Sequence, residues 1–323
     1  MKRLSWSAFS FLIFAATVYS QSKLGEQYAV PESPAFSLLD NQSGNIITPS
    51  SVKKISLELT DYKNFGIEIS PLLLTPNLNL EDYNKALFWY RMRFSFAKST
   101  LGNENVQFAE GLRFTLIDKS DLRDAKIHYQ YHNDLSAIAQ NKCLELNIID
   151  CTNIVDSLRN AYKKEFWNAE ILEVGLASMQ ESMGSETQDF KFRKAALWIS
   201  YGTHLGKLTT KFGQSNQLLI GLNAELTDSI SVEAVSKTYY PKLSTTTRFY
   251  YGSNELRVYI QAEYAYINAK NKMFLAAIGG LLKVYSGIWI KPALSVNSDF
   301  DGKPSYTPSL TLQAGLGFME KTK

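Results

Sequence analysis

The side chains of this 323-residue chain with an obvious capacity for chemistry are three histidines, two cysteines and a scatter of Arg, Lys and Glu. His128 and His132 stand at HxxxH spacing, but no Glu follows the first in the HExxH arrangement of a zinc site that carries its own base. No metal ligand set is assigned to them. His204 lies shortly after Ser200, a pair that a hydrolase embedded in a barrel wall would need, yet no carboxylate or amide is placed to orient the imidazole. Walker loops, dinucleotide fingerprints and G-x-S-x-G are absent. No catalytic residue and no cofactor are therefore assigned. Cys143 and Cys151 have a C-x7-C spacing that is not a zinc pattern; in an oxidising compartment it allows a local disulfide, the alternative being two half-buried thiols.

The stronger candidates are polar residues that alternate with apolar ones. In Leu256-Arg257-Val258-Tyr259-Ile260-Gln261-Ala262-Glu263-Tyr264 a β-strand puts Leu256, Val258, Ile260, Ala262 and Tyr264 on one face. Arg257, Tyr259, Gln261 and Glu263 take the other. The same alternation sets Phe88, Tyr90, Met92, Phe94 and Phe96 against Arg91, Arg93 and Ser95. It sets Leu112, Phe114 and Leu116 against Arg113 and Thr115, Leu222 and Leu226 against Asn223 and Glu225, and Ile288 and Ile290 against Trp289 and Lys291. An Arg or Lys on a lipid-facing surface costs about 2–4 kcal/mol at mid-membrane, so the charged set belongs inside a barrel. The lumen-lining candidates are Arg91, Arg93, Arg113, Glu225, Arg257, Gln261, Glu263 and Lys291. They are either the lining of a pore or an interior network that fills a narrow barrel. Glu110 breaks the pattern, because parity places it with Phe108 and Leu112; a bulge at Ala109 or Gly111 would turn it inward.

The elements that carry these residues are short and period-two. Strand-like segments fall near 52–59, 64–74, 86–98, 105–117, 169–180, 190–203, 215–227, 229–238, 243–251, 254–267, 272–284, 286–297 and 305–318. Thirteen is an odd count, and single-chain barrels have even ones, so twelve or fourteen strands are expected. The segment 272–284 carries Met273, Leu275, Gly279 and Leu281 on its nominal inner face, which calls for an apolar partner; Phe36 to Leu39 is one candidate. Tight connections at 227–229, 252–254 and 285–287 alternate with longer ones at 239–243, 268–272 and 298–305, the short set being expected on the periplasmic side. The break at 118–168 differs, since Ile154, Val155, Leu158, Tyr162 and Phe166 recur at helical spacing, with Arg159, Lys163 and Lys164 on the other side.

The N-terminus has Lys2 and Arg3, an apolar stretch through Phe9, Phe11, Leu12, Ile13 and Phe14, and a small residue at Ser20, the pattern of a secretory signal over residues 1–20. Beyond it no apolar run reaches the roughly 18 residues that a membrane helix needs. In lipid every backbone group must be paired, and strands achieve that only in a closed barrel. Removing Lys2 and Arg3 with the signal lowers the formal charge from +3 to +1, too little for a nucleic-acid binder. Residues 21–51 are rich in turn formers around an apolar knot at Phe36, Leu38 and Leu39, and read as a periplasmic or plugging segment.

The stretches Pro31-Glu32-Ser33-Pro34-Ala35-Phe36-Ser37-Leu38-Leu39, Ile47-Thr48-Pro49-Ser50-Ser51, Gly66-Ile67-Glu68-Ile69-Ser70-Pro71 and Gly111-Leu112-Arg113-Phe114-Thr115-Leu116-Ile117-Asp118 resemble uncharacterised outer-membrane β-barrel proteins of Bacteroidota-type bacteria. The resemblance covers residues 31–118 by motif and the remainder by strand pattern. It implies location and architecture and supplies no catalytic residues.

The resulting expectation is an all-β chain, a transmembrane antiparallel β-barrel of about 12–14 strands in the outer membrane. It comprises a signal at 1–20, a plug or periplasmic segment at 21–51, and a barrel over 52–323 with a helix-containing insertion at 118–168 between early strands. Its partners are expected to be outer-membrane lipid and small solutes, with no nucleic acid and no oligomeric state assigned. Its function is expected to be a porin-like channel or a structural role without catalysis. The alternatives are a barrel enzyme such as a lipid hydrolase, or an accessory subunit of a secretion or surface-assembly complex.

Overall fold

The structure is a computed structural model that describes residues 33–39, 54–60, 63–74, 79–101, 105–141, 148–182, 190–206, 215–229, 238–253, 255–266, 272–285, 288–298 and 304–316. The expected signal at 1–20, most of 21–51, Cys143 and Phe318 lie outside these residues.

Twelve antiparallel strands form one closed barrel, each paired with its sequence neighbours and β1 pairing with β12. They are β1 (Ile55–Leu59), β2 (Phe65–Ile69), β3 (Met92–Leu101), β4 (Asn105–Asp118), β5 (Ile171–Ser182) and β6 (Phe190–Thr203). The second half comprises β7 (Ser215–Ser229), β8 (Thr238–Gly252), β9 (Leu256–Tyr266), β10 (Lys272–Tyr285), β11 (Ile288–Ser298) and β12 (Ser305–Leu316). The helices are α1 (Pro34–Leu38), α2 (Leu80–Lys85), α3 (Leu87–Tyr90), α4 (Tyr129–Asn141) and α5 (Ile148–Phe166). The helical insertion thus falls between β4 and β5.

Three segments differ from the sequence reading. The strand expected at 64–74 ends at Ile69, and Pro71–Leu74 form a 3-10 turn. A single β8 replaces the strands expected at 229–238 and 243–251: β7 runs on through Ser229, and Thr238 to Leu243 are strand rather than a longer connection. Pro241, within the connection expected at 239–243, pairs opposite Leu226 in the barrel; a proline removes one ladder hydrogen bond without ending this strand. That settles the count at twelve. Residues 87–90 form the helical turn α3 rather than the start of a strand, so Arg91 precedes β3 instead of lying within the wall.

Because the strand number is even, β1 starts and β12 ends at the same rim, called here the lower rim. The connections 253–255 and 286–287 lie on it, as do the longer ones 70–91, 119–170 and 204–214, so short and long connections share this rim rather than separating by side as the sequence suggested. Upper-rim connections such as 230–237 and 299–304 are intermediate in length. The outer face is apolar: Ile220, Leu222, Ile260, Ile278 and Leu310 are exposed along mid-strand. Near the rims this band gives way to exposed aromatic side chains, Tyr251 and Tyr285 below and Tyr264, Tyr266 and Tyr306 above.

The lumen is occupied. Helix α1 lies inside the barrel, packed on the inner wall of β2 to β6, where Phe36, Leu38 and Leu39 join Ala97, Ala109, Met179 and Trp198 in one cluster. Ser33 caps it by accepting from the Phe36 amide, and Pro34 occupies its first turn. The Ser33 amide and hydroxyl both donate to the Glu58 carboxylate of β1, and the Ala35 amide donates to Ser95 Oγ at 3.2 Å. Close approach depends on Gly66, where a Cβ would stand 2.9 Å from the Phe36 ring, and on Gly111, where it would stand 3.0 Å from the Ala35 amide nitrogen. The Phe36 to Leu39 knot therefore fills the early half of the barrel and not the face of β10. There Gly279 instead accommodates the Tyr259 ring, whose Cζ would lie 2.5 Å from an added Cβ.

Gly66→Val is expected to destabilise the barrel by about 1–3 kcal/mol through overpacking. Chemical unfolding in lipid vesicles checks this. The double variant with Phe36→Ala should recover most of the loss, because the clash is with that ring.

Candidate functional site

All of the expected lumen-lining residues are buried, and they sort into two groups and a rim. On β2 to β5, Arg113 donates from Nε and one terminal nitrogen to Glu68 Oε2, at 3.1 and 2.7 Å, and from the other to Glu173 Oε2 at 3.1 Å. Arg93 reaches Glu68 Oε1 at 3.4 Å, pairs with Glu173, and donates to Thr115 Oγ1 at 2.6 Å. Two guanidinium groups and two carboxylates thus neutralise one another below the plug. Sequence parity identified Arg93 and Arg113 but missed Glu68 and Glu173, which lie on strands whose alternation is short or diluted by small residues.

Arg91 belongs to the rim. It donates to Asp121 Oδ2 at 3.3 Å and to Asp124 Oδ2 at 3.1 Å, Arg123 Nε donates to Asp121 Oδ1 at 2.6 Å, and the Tyr83 hydroxyl donates to Asp121 Oδ2 at 2.5 Å. Burial opposes ionisation of Asp121, but Arg123 and Arg91 outweigh it and hold the carboxyl below its ordinary range. This network ties the connection 70–91 to the insertion 119–170.

Within the insertion, α4 and α5 pack through Tyr131, Tyr162 and Phe166, and the Tyr162 hydroxyl donates to Asp134 at 2.9 Å. His128 Nε2 donates to the Lys119 carbonyl at 2.9 Å, and its ring meets Phe166 edge-on, an arrangement that holds a helix pair. Among the described residues no group of three or more metal-binding side chains surrounds the two histidines. Cys151 is disulfide-bonded, and the other cysteine, Cys143, lies outside the described residues. Lys163, read from the sequence as part of the polar side of α5, is buried instead, as is Val155 two turns before it. Just beyond α5, Trp167 enters the lower mouth, and Asn168 Nδ2 donates to Ser215 Oγ at 2.7 Å and to the Asn216 carbonyl at 2.6 Å.

On β8 to β11 the inner face is cationic and aromatic. Arg248 Nε donates to Gln261 Oε1 at 2.7 Å, and its guanidinium lies 4.6 Å from the Tyr259 ring. Arg257 lies 4.9 Å from the Trp167 ring and 5.0 Å from that of Tyr250, and the Lys291 ammonium is 6.0 Å from the Tyr259 ring. Glu225 and Glu263 share the inner face further toward the upper rim, opposite Lys242 and Thr246. Ser200 Oγ and His204 Nδ1 each lack a hydrogen-bond partner, so no dyad joins them.

Glu110 is not turned inward. The β4 register is unbroken from Val106 to Thr115, and the shift in the ladder comes later, between Thr115 and Ile117. The Glu110 carboxylate faces outward and accepts from Ser178 Oγ at 3.1 Å. It lines an outer-surface groove of about 700 Å³ with Phe96, Ser178, Ala195, Leu226 and Pro241. The groove exists because small outward residues on β5 and β6 stand between large ones.

No protein-family model matches the chain, and no curated protein matches it. Among solved structures, the β domain of the Bordetella autotransporter Brka is similar, with a TM-score of 0.36 and 6% identity over 82% of this chain and 90% of that one. The bacterial group suggested by the motifs near residues 31–118 finds no support in these comparisons.

Arg113→Met leaves the pair Glu68 and Glu173 facing Arg93 alone, and removing one partner of a buried ion pair costs about 3–5 kcal/mol. Urea unfolding in vesicles should show a loss of that order, whereas Lys85→Ala, which removes an exposed pair with Glu81, should leave the midpoint unchanged. A pH dependence follows from Lys163, whose ammonium burial lowers to about 7, Arg159 adding to the effect and Asp156 opposing it. The folded insertion then binds fewer protons than the unfolded chain between about 7 and the ordinary value of 10.5, so its stability rises with pH across that window. Limited proteolysis of residues 119–170 should be slower at pH 9 than at pH 7 relative to Lys163→Met, which removes the dependence.

Proposed function

We propose that the chain is an outer-membrane β-barrel without catalytic activity, closed at rest, and that it works as a plugged channel for small solutes rather than as an open pore. The membrane assignment is supported by the apolar outer band between two aromatic girdles, the form taken by barrels in lipid. The signal pattern at residues 1–20 agrees with the location.

The single observation that carries the closed state is the inaccessibility of the inner face. Arg113 and Trp289 are 0% exposed and Phe36 is 1%, whereas residues lining a water-filled channel stay accessible. Two barriers produce this. Helix α1 fills the β2 to β6 side, and Trp167 with Asn168 closes the lower mouth across to β7 and β9. The non-catalytic part of the reading is supported by the unpaired Ser200 and His204. A role as an accessory subunit of a secretion or surface-assembly complex is favoured by one observation, the Glu110 groove, because a carboxylate on a lipid-facing surface invites a covering partner.

Planar-bilayer recordings test the reading. The full chain is expected to be silent, and a variant lacking residues 33–39 and carrying Trp167→Gly to conduct in discrete steps. Steady conductance from the full chain would overturn the closed state. A silent double variant, folded by its heat-modifiable gel mobility, would transfer the assignment to a structural or accessory role.

A further inference from the structure

On one side of the lumen Arg93, Arg113, Glu68 and Glu173 balance their charges, whereas on the other Arg248, Arg257 and Lys291 gather around two tyrosines and the described carboxylates there, Glu225 and Glu263, lie further toward the upper rim. Arg248 and Arg257 lie 5.8 and 5.0 Å from the same Tyr250 ring, Arg248 and Lys291 lie 4.6 and 6.0 Å from the same Tyr259 ring, and the two rings are 5.4 Å apart. Three cations therefore crowd one pair of tyrosines.

Arg257 is the informative member. It is 7% exposed, its Nε has no hydrogen-bond partner, and it forms no ion pair among the described residues. Its contacts are the faces of Trp167 and Tyr250, which hold the plane of the guanidinium and leave its edge of N–H donors available. Gln261 stands on the same inner face of β9, is 4% exposed, and uses its oxygen to accept from Arg248 while its amide nitrogen is unpartnered. Burying a charge without a counter-charge is costly, so a group kept in that state marks a place where an ion completes the site. Everything left unsatisfied at Arg257 and Gln261 is a donor. The missing partner is an acceptor with negative charge.

We propose that the lower mouth of the barrel holds an oxyanion-binding site. Arg257 is its donor, Arg248 and Lys291 lie around the adjoining tyrosine rings, and Trp167 is its cap. The ligand chemistry is that of a carboxylate or a phosphate group, which Arg binds through paired N–H bonds. The site lies on the opposite wall from α1 and does not depend on whether that helix ever leaves, and its test keeps Trp167 in place, so its failure is distinguishable from failure of the plugged-channel reading.

The test uses the full chain in detergent micelles and reads the temperature at which the heat-modifiable gel shift occurs. Sodium phosphate and sodium acetate are compared with sodium chloride at equal ionic strength. Either oxyanion, or both, should raise the transition above the chloride control, because a ligand that binds only the folded state stabilises it by mass action. Stabilisation by phosphate alone assigns the phosphate class, and by acetate alone the carboxylate class. Arg257→Gln should weaken the response at least tenfold in apparent affinity, while Lys98→Gln, on the exposed outer face, should retain it. Should Arg257→Gln fail to fold, Arg257→Lys serves in its place, with a partial loss expected because the charge stays and the paired N–H donors go. No stabilisation by either anion, or an undiminished response in both mouth variants, would overturn the site.

Discussion

The pairing of β1 with β12 is the constraint on which the rest of the molecule depends. It removes the two free edges a sheet would otherwise present, satisfies the outermost ladder groups, and separates two environments. Once the cylinder is closed, the period-two alternation of every strand becomes a partition. Apolar side chains face outward, and the charged residues are enclosed. An enclosed Arg or Glu has to find its counterpart within reach or be left as a buried charge. The Arg93, Arg113, Glu68 and Glu173 group meets that demand by being neutral as a whole and by directing donors at both carboxylates. It is the consequence of closure on the side where the strands are shortest.

Filling the cylinder is the second consequence, and the two sides solve it differently. On β2 to β6 a separate piece of chain, α1, occupies the space, and Gly66 and Gly111 open the wall to receive it. On β7 to β11 the wall fills itself with Tyr250, Tyr259 and Trp289 around Leu219 and Leu281, and Gly279 is the recess for one of those rings. In both places a missing Cβ marks where a bulky group crosses the wall. The interior is thus packed like a core but built from rings and hydrogen-bonded ions, with aliphatic side chains largely on the outside.

Most of this partition was legible in the residues themselves. β9 needs no context, since every inward position from Arg257 to Glu263 is polar or aromatic and every outward one apolar. Legibility fails where a local pattern admits two structures. Leu87 to Tyr90 is a short apolar run, which strand and helix share, and the chain takes a helical turn there. Pro241 imitates a turn inside a continuous strand. Glu110 violates parity without any bulge, and nothing in its neighbourhood on β4 foretells that a hydroxyl on β5 will meet it. The remaining failures are matters of distance along the chain. The apolar knot at Phe36 announces that it will be buried, but its docking wall is chosen by glycines on β2 and β4. Lys163 lies at a position that an isolated amphipathic helix would give to water, and only tertiary packing makes it an interior one.

The uneven distribution of connections carries a further implication. Helical connections are rooted at the lower rim on the early strands, whereas on the same rim the late strands are joined by the minimal links 253–255 and 286–287. Among the described residues the mouth is therefore covered from the side of the early strands. The helical layer crosses it at one place, where Trp167 stacks on Arg257 of β9 and Asn168 grips the start of β7. The base of the layer is fixed separately, by Lys119 pairing with Glu170 and by the Asp121 network. A cover clamped along one edge and touching the far wall through a tryptophan and an asparagine has its weakest attachment there. The plug is held from the opposite wall by Glu58 and Ser95 and shares none of these contacts. The two obstructions are held by different contacts, so under the proposed plugged-channel reading a solute route requires two separate events.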